Sequence, residues 1–190
     1  MRQNRPLTAA PEILTIGHST HPFERFETLL EGAAVEAIAD VRRFPASRRH
    51  PQFAREALEA ELRRAGIAYA WLGEELGGRR RARRDSANHA WRVDSFRGYA
   101  DHMQGAEFWR GLARLEGLAS DSRTAFMCAE GDWRRCHRRL IADALTARSW
   151  RVVHLLPDGR RAEHELPGFA TVADGELSYA SQPPIGGIGS

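Results

Sequence analysis

Short apolar runs alternate with segments of helical periodicity along most of this chain. That alternation limits the possible folds more than any other feature. "ILTIGHST" (Ile13–Thr20) is a short apolar strand that ends in glycine and polar residues. "HPFERFETLLEGA" follows, with Phe23, Phe26, Leu30 and Ala33 on one helical stripe. A second strand is expected over Ala37–Val41, then a loop containing Pro45. "QFAREALEAELRRAG" is an amphipathic helix with Phe53, Ala57, Leu58, Leu62 and Ala65 inward, closed by Gly66. "IAYAWLG" is a third strand. Asp94–Leu118 is helical with a break near Gly105. "TAFMCAE" is the fourth strand, and Asp132 is placed to cap a helix running to about Ala147. "WRVVHLLPDG" is the fifth strand with its turn.

Strand and helix in turn predict an α/β fold, with a mostly parallel central sheet and helices on both faces. The 190 residues suit a single domain. Residues 1–11 read as a polar N-terminal arm and 12–170 as the α/β domain. Residues 171–190 read as a tail, and "SQPPIGGIGS" at its end as disordered. Hydrophobic content of 42% and charged content of 28% fit a globular class. No apolar run approaches the ~18 residues that span a bilayer, so no membrane association is expected. "MRQNRPLTAAPE" has no apolar core of a signal peptide. Two cysteines do not make a disulfide scaffold, so the expected location is a reducing cytoplasm.

Parallel sheets bind ligands at the carboxyl ends of their strands. The residues expected there are Gly17, His18 and Ser19; Asp40, Arg42, Arg43 and Ser47; Cys128 and Glu130; and Asp158. Reactive and polar side chains thus gather where this architecture places its sites. Cys128 would face the N-terminus of the next helix, whose free N–H groups and dipole favour a thiolate. Arg134 follows at Cys-x5-Arg spacing, which in a strand-loop-helix setting wraps a loop around an oxyanion. Protein tyrosine phosphatases and rhodaneses use that arrangement, and "DVR" at Asp40–Arg42 is similar to the strand before the active cysteine of rhodaneses. Against a phosphatase stands the loop itself, Ala-Glu-Gly-Asp-Trp, whose Glu130 and Asp132 would repel a bound phosphate.

Each residue also has a plainer reading. Cys128 reads equally as a small apolar residue in a buried strand. Cys136 shares a stripe with Leu140 and Ala144, which favours core packing. His137 is either a base beside Cys128 or a partner for a backbone carbonyl. Asp40 with Arg42 is either an acid/base pair or a structural ion pair. The chain lacks a Cys-x2-Cys pair, and helical spacing would separate Cys136 from His137 by ~100°, so no metal site is assigned. The run Arg79–Arg84 has no apolar periodicity and reads as a mobile basic loop. Its functional reading is contact with a phosphate backbone, aided by stacking on Trp71 and Trp91. All 28 basic residues are arginine, suited to carboxylate and phosphate, but the formal net charge of +3 is weak support for nucleic acid.

Five blocks in order, "TIGHST", "DVRRFPASRR", "GIAYAWLGEELGG", "CAEGDWRRCHRRLIA" and "VVHLLPDGRRAEHEL", together resemble the domain of unknown function 488 family. The resemblance runs from about Ile13 to Tyr179 and implies a single α/β domain, with no established biochemical role. It marks Gly17, His18, Ser19, Asp40, Arg42, Pro45, Ser47, Cys128, Glu130, Cys136, His137, Arg138 and His164 as motif positions. The resulting expectation is a thiol-dependent enzyme acting on a small or nucleotide-like anion, its cofactors unknown. Cys128, Glu130, His137, His18 and Asp40 are the catalytic candidates. Ser19, Arg42, Arg43, Ser47, Arg134 and His164 are the substrate-binding candidates. The alternatives are a non-catalytic module that binds a phosphate-bearing ligand or nucleic acid, and a structural domain whose cysteines are core residues.

Overall fold

The computed structural model describes residues 10–46, 49–173 and 176–180. Its centre is a six-stranded sheet of β1 (Glu12–Gly17), β2 (Ala37–Asp40), β3 (Ala68–Trp71), β4 (Thr124–Cys128), β5 (Arg151–Leu155) and β6 (Arg161–Glu163). The order across the sheet is β3-β2-β4-β1-β5-β6. Every pairing is parallel except β5 with β6, which the turn at Pro157–Gly159 folds into an antiparallel hairpin. The helices are α1 (Phe23–Glu31), α2 (Arg55–Arg64), α3 (Gly73–Leu76), α4 (Asp94–Met103), α5 (Ala106–Asp121) and α6 (Arg138–Ala147).

Alternation of side chains along each strand builds two cores. Leu14, Ile16, Ile38, Ala125 and Met127 face Phe26, Leu30, Leu58 and Leu62 of α1 and α2. Ile13, Ala39, Phe126 and Val152 face Tyr99, Phe108, Leu112 and Ile141 of α4, α5 and α6. Each large aliphatic or aromatic side chain removed from water contributes about 1.5–3 kcal/mol, so both faces must be covered. The expected helix break stands at Gly105, between α4 and α5. Gly66 closes the turn after α2 with φ +73°, a conformation that favours glycine.

Three details depart from what the sequence suggests. The run Arg79–Arg84 has no regular structure, yet it is tied to its neighbours. Arg80 donates to the carbonyls of Glu74 and Gly77, and the Arg83 N–H donates to Asp101, which also takes Ser86 and Asn88. Trp91 is buried among Phe96, Phe169 and Tyr179, and Trp71 donates to the Arg42 carbonyl beneath the Arg55 guanidinium. Neither indole is free to stack on a base. Past residue 170, β7 (Thr171–Ala173) and β8 (Glu176–Ser178) form a second small sheet, and Tyr179 is buried with its hydroxyl on Asp143. Residues 1–9 of the expected arm and 181–190 of the expected disordered end lie outside the described residues.

Candidate functional site

The parallel register sets the site. Gly17 pairs with Cys128, Asp40 with Met127 and Ile16 with Leu155, so four strands end on one edge. There the chain from β4 to α6 lies close against the end of β1. The His18 N–H donates to the Cys128 carbonyl at 3.0 Å and the Ser19 N–H to the Ala129 carbonyl at 2.9 Å. A Cβ on Gly17 would lie 1.9 Å from the Glu130 carbonyl oxygen, so only glycine permits this approach.

The connection itself is not the expected helix start. Asp132 caps a short 3-10 turn, Trp133–Arg135, by accepting from the Arg134 N–H, and α6 begins only at Arg138. Trp133 anchors this turn from below, its ring stacked on His154 at 3.9 Å. His154 belongs to a buried chain. The Asp143 carboxylate accepts a hydrogen bond from His164 Nε2–H at 2.7 Å, which leaves His164 Nδ1 to accept from His154 Nε2–H at 3.0 Å. Burial, then the nearby His164, Arg138 and Arg134, holds the His154 pKa down at about 2, so that ring stays neutral.

Above this base, Cys128, Cys136 and His137 converge. Their ligand atoms lie within 4.8 Å of one another. His137 Nδ1 is 3.9 Å from the Cys128 sulfur and 3.6 Å from the Cys136 sulfur. His137 Nε2 is 3.1 Å from the Val41 carbonyl, which can only accept. Nε2 therefore carries the proton, and Nδ1 turns a lone pair toward both thiols. All three residues line a cavity of about 580 Å³ that His18, Ser19, Arg42, Phe44, Glu130 and Arg135 also face.

Arg138 lies directly below, 1% exposed. It donates to the Thr15 hydroxyl and the Glu130 carbonyl, both neutral. No carboxylate among the described residues forms an ion pair with it. Its charge favours ionisation of both thiols, which share the remaining proton. Burial pushes the Cys136 thiol up, but the hydrogen bond from Cys128, the contact with His137 and the charge of Arg138 bring it well below its usual value. Donating that bond, together with burial, pushes Cys128 well up. The pair therefore loses one proton readily and the second with difficulty.

The other residues expected from sequence lie in varied surroundings. Asp40 is 0% exposed and its carboxylate is fully engaged: it accepts from the Arg42 guanidinium at 2.6 and 2.9 Å, from the Arg42 N–H and from the Tyr69 hydroxyl. With further Arg42 donors on the Phe53 carbonyl and His18 Nε2, Asp40 and Arg42 form a closed ion pair. His18 donates from Nδ1 to the Ser19 carbonyl and stacks on Phe53 at 4.2 Å. Burial, then the Arg42 charge, holds its pKa down at about 4, so it is neutral at pH 7. Arg134 is 61% exposed, paired with Asp132 and laid over the Trp133 ring, and Arg135 takes its place at the cavity. The Cys-x5-Arg cradle is therefore not formed, because the 3-10 turn replaces the expected helix. His164 sits in the buried network away from the cavity. Arg43 packs beside Gly77 and over Phe44. Ser47 lies outside the described residues. Glu130 lines the cavity, with its carboxylate accepting from the Asp132 N–H.

Cys136 is the site residue that helical spacing hid. Its backbone is extended (φ −122°, ψ 148°), and His137 is only the N-cap of the helix that begins at Arg138, so the ~100° rule does not apply to the pair. The adjacency of Cys136 and His137 was the available signal. Among the described residues no helix is long and apolar enough to cross a membrane. No curated protein and no solved structure matches the chain. A family model described as Domain of unknown function DUF488 matches residues 22–145, from the start of α1 through most of α6, including the β4–α6 connection with both cysteines. With well over half of its length matched, the chain belongs to the DUF488 family.

Proposed function

We propose that the protein is a thiol-dependent enzyme acting on a small, nucleotide-like anion bound in the cavity at the carboxyl edge of the sheet. One observation carries this: an imidazole lone pair faces two thiols, beside a buried guanidinium that has no carboxylate partner among the described residues. An uncompensated buried charge costs several kcal/mol. A thiolate of the Cys128–Cys136 pair offsets that cost, so the cluster favours ionised sulfur. The cavity volume suits a ligand of nucleotide size. Arg135 and Arg79 at its rim supply attraction for an anion, while Phe44 and Phe96 offer ring faces. Arg42 shapes the floor and Glu130 is the carboxylate available to move a proton.

The test is iodoacetamide alkylation of metal-free protein at pH 7, with and without phosphate or a nucleoside monophosphate. The pair reacts faster than an unperturbed thiol of pKa ~8.5, and the anion slows the reaction in a saturable way. Slow alkylation indifferent to both anions would remove this proposal. A nucleic-acid partner loses support because Trp71 and Trp91 are engaged in the fold.

A further inference from the structure

The three groups that define the site also match a metal-ligand set. We propose that Cys128, Cys136 and His137 bind a zinc ion through Sγ, Sγ and Nδ1, with the fourth coordination position open to the cavity. This rests on the same cavity being the functional site, and it names the cofactor that the cavity takes.

Zinc–sulfur bonds of ~2.3 Å and zinc–nitrogen bonds of ~2.05 Å, arranged tetrahedrally, put ligand sulfur and nitrogen about 3.6 Å apart and two sulfurs about 3.8 Å apart. The observed sulfur-to-Nδ1 distances are 3.6 Å for Cys136 and 3.9 Å for Cys128, and all three atoms lie within 4.8 Å of one another. The two sulfur–nitrogen edges are thus close to those of a zinc tetrahedron, and the sulfur–sulfur edge is no longer than 4.8 Å.

The imidazole supplies the second argument. A metal-binding histidine donates its other ring N–H to a carbonyl or carboxylate, which fixes the tautomer and the ring plane. His137 does this with the Val41 carbonyl at 3.1 Å, an acceptor delivered by the end of β2. The tautomer that suits a metal is therefore the one the fold imposes. Two thiols and an imidazole form a borderline-soft donor set, the type that selects zinc over magnesium or calcium.

Binding balances as follows. One Zn²⁺ enters and is held by two thiolates, the one proton still shared by the pair leaves to solvent, and Nδ1 contributes its existing lone pair without losing a proton. Three protein ligands with an open fourth position are the pattern of catalytic zinc, and structural zinc closes all four. All three ligands line the cavity, so that position faces the space proposed for the anion.

Cobalt(II) titration of the reduced protein under a thiol-free reductant tests the site directly. One equivalent gives a thiolate-to-cobalt charge-transfer band with tetrahedral d–d bands, zinc displaces the cobalt, and one proton is released per ion. Cys128→Ser, Cys136→Ser and His137→Ala each lower affinity more than ~100-fold, since loss of an outer-shell partner alone costs 10–100-fold. Circular dichroism verifies that each variant is folded, and Arg134→Ala, outside the ligand set, binds as the parent does. Absence of the charge-transfer band, or its persistence at full affinity in folded Cys136→Ser and His137→Ala, overturns the proposal. Anion protection of metal-free protein is read separately, so failure of zinc binding and failure of the anion site give different results.

Discussion

Gly17→Ala tests how the site is held. The added Cβ would lie 1.9 Å from the Glu130 oxygen, 2.7 Å from its carbon and 2.8 Å from Arg138 Nη2. An ordinary contact requires more than 3.4 Å. The β4–α6 connection must therefore withdraw from β1 by roughly 1.5 Å, which is more than a hydrogen bond tolerates. Three bonds are at stake: His18 N–H to Cys128, Ser19 N–H to Ala129, and Arg138 to the Glu130 carbonyl. Two neutral bonds at about 1 kcal/mol and one charged bond at about 2 kcal/mol give a loss of about 4 kcal/mol. For a chain of this size that corresponds to a fall in Tm of about 8–16 °C. Urea unfolding followed by tryptophan fluorescence measures it, with the m-value unchanged. The control is Gly117→Ala in α5, where nothing lies within 4 Å of the new Cβ. That variant gains about 0.5–1 kcal/mol from helix propensity. A Gly17→Ala protein within 0.5 kcal/mol of the parent would refute this account of how the connection is held.

Asp40→Asn leaves the Arg42 guanidinium buried without its counter-charge, and urea denaturation should show a loss of about 3–5 kcal/mol. Acid weakens the fold through His18: its folded pKa is about 4, so below ~6.5 the unfolded chain takes up a proton that the folded one does not. Stability from this group is complete above ~6.5 and falls by about 3 kcal/mol by pH 4, and His18→Gln should flatten that part of the stability profile. Tyr179→Phe removes a donor from buried Asp143 and costs about 1–3 kcal/mol in the same assay, whereas no effect would mean that the chain past 170 does not support the core. Arg134→Ala should leave both stability and the alkylation rate of the cysteines close to those of the parent, within about 0.5 kcal/mol for the former, because the side chain is exposed and turned from the cavity.

Much of the architecture was legible in the sequence. Strand periodicity of two and helix periodicity of 3.6 are local properties, so Ile13–Ile16, Ala37–Val41, Thr124–Met127 and the stripes of α1, α2 and α5 declared themselves. Their alternation selected a parallel sheet. In a parallel sheet the residue after each strand is delivered to one edge, so His18, Asp40 and Cys128 were bound to gather. The short β6 and the antiparallel pair β7 and β8 escaped notice because strands of three residues carry too little period to read.

What each gathered side chain does was decided by tertiary contacts. Asp40 and Arg42 became a closed pair because Tyr69 and the Phe53 carbonyl, distant in sequence, take up what they offer. The 3-10 turn at Trp133–Arg135 exists where it does because His154, on β5, provides a face for the Trp133 ring. That turn sends Arg134 outward, brings Arg135 to the cavity and lets Cys136 meet His137 and Cys128. Helical spacing alone would have kept Cys136 and His137 apart. Loop conformation depends on what packs beneath the loop, and that information is spread over strands and helices up to a hundred residues away in the chain.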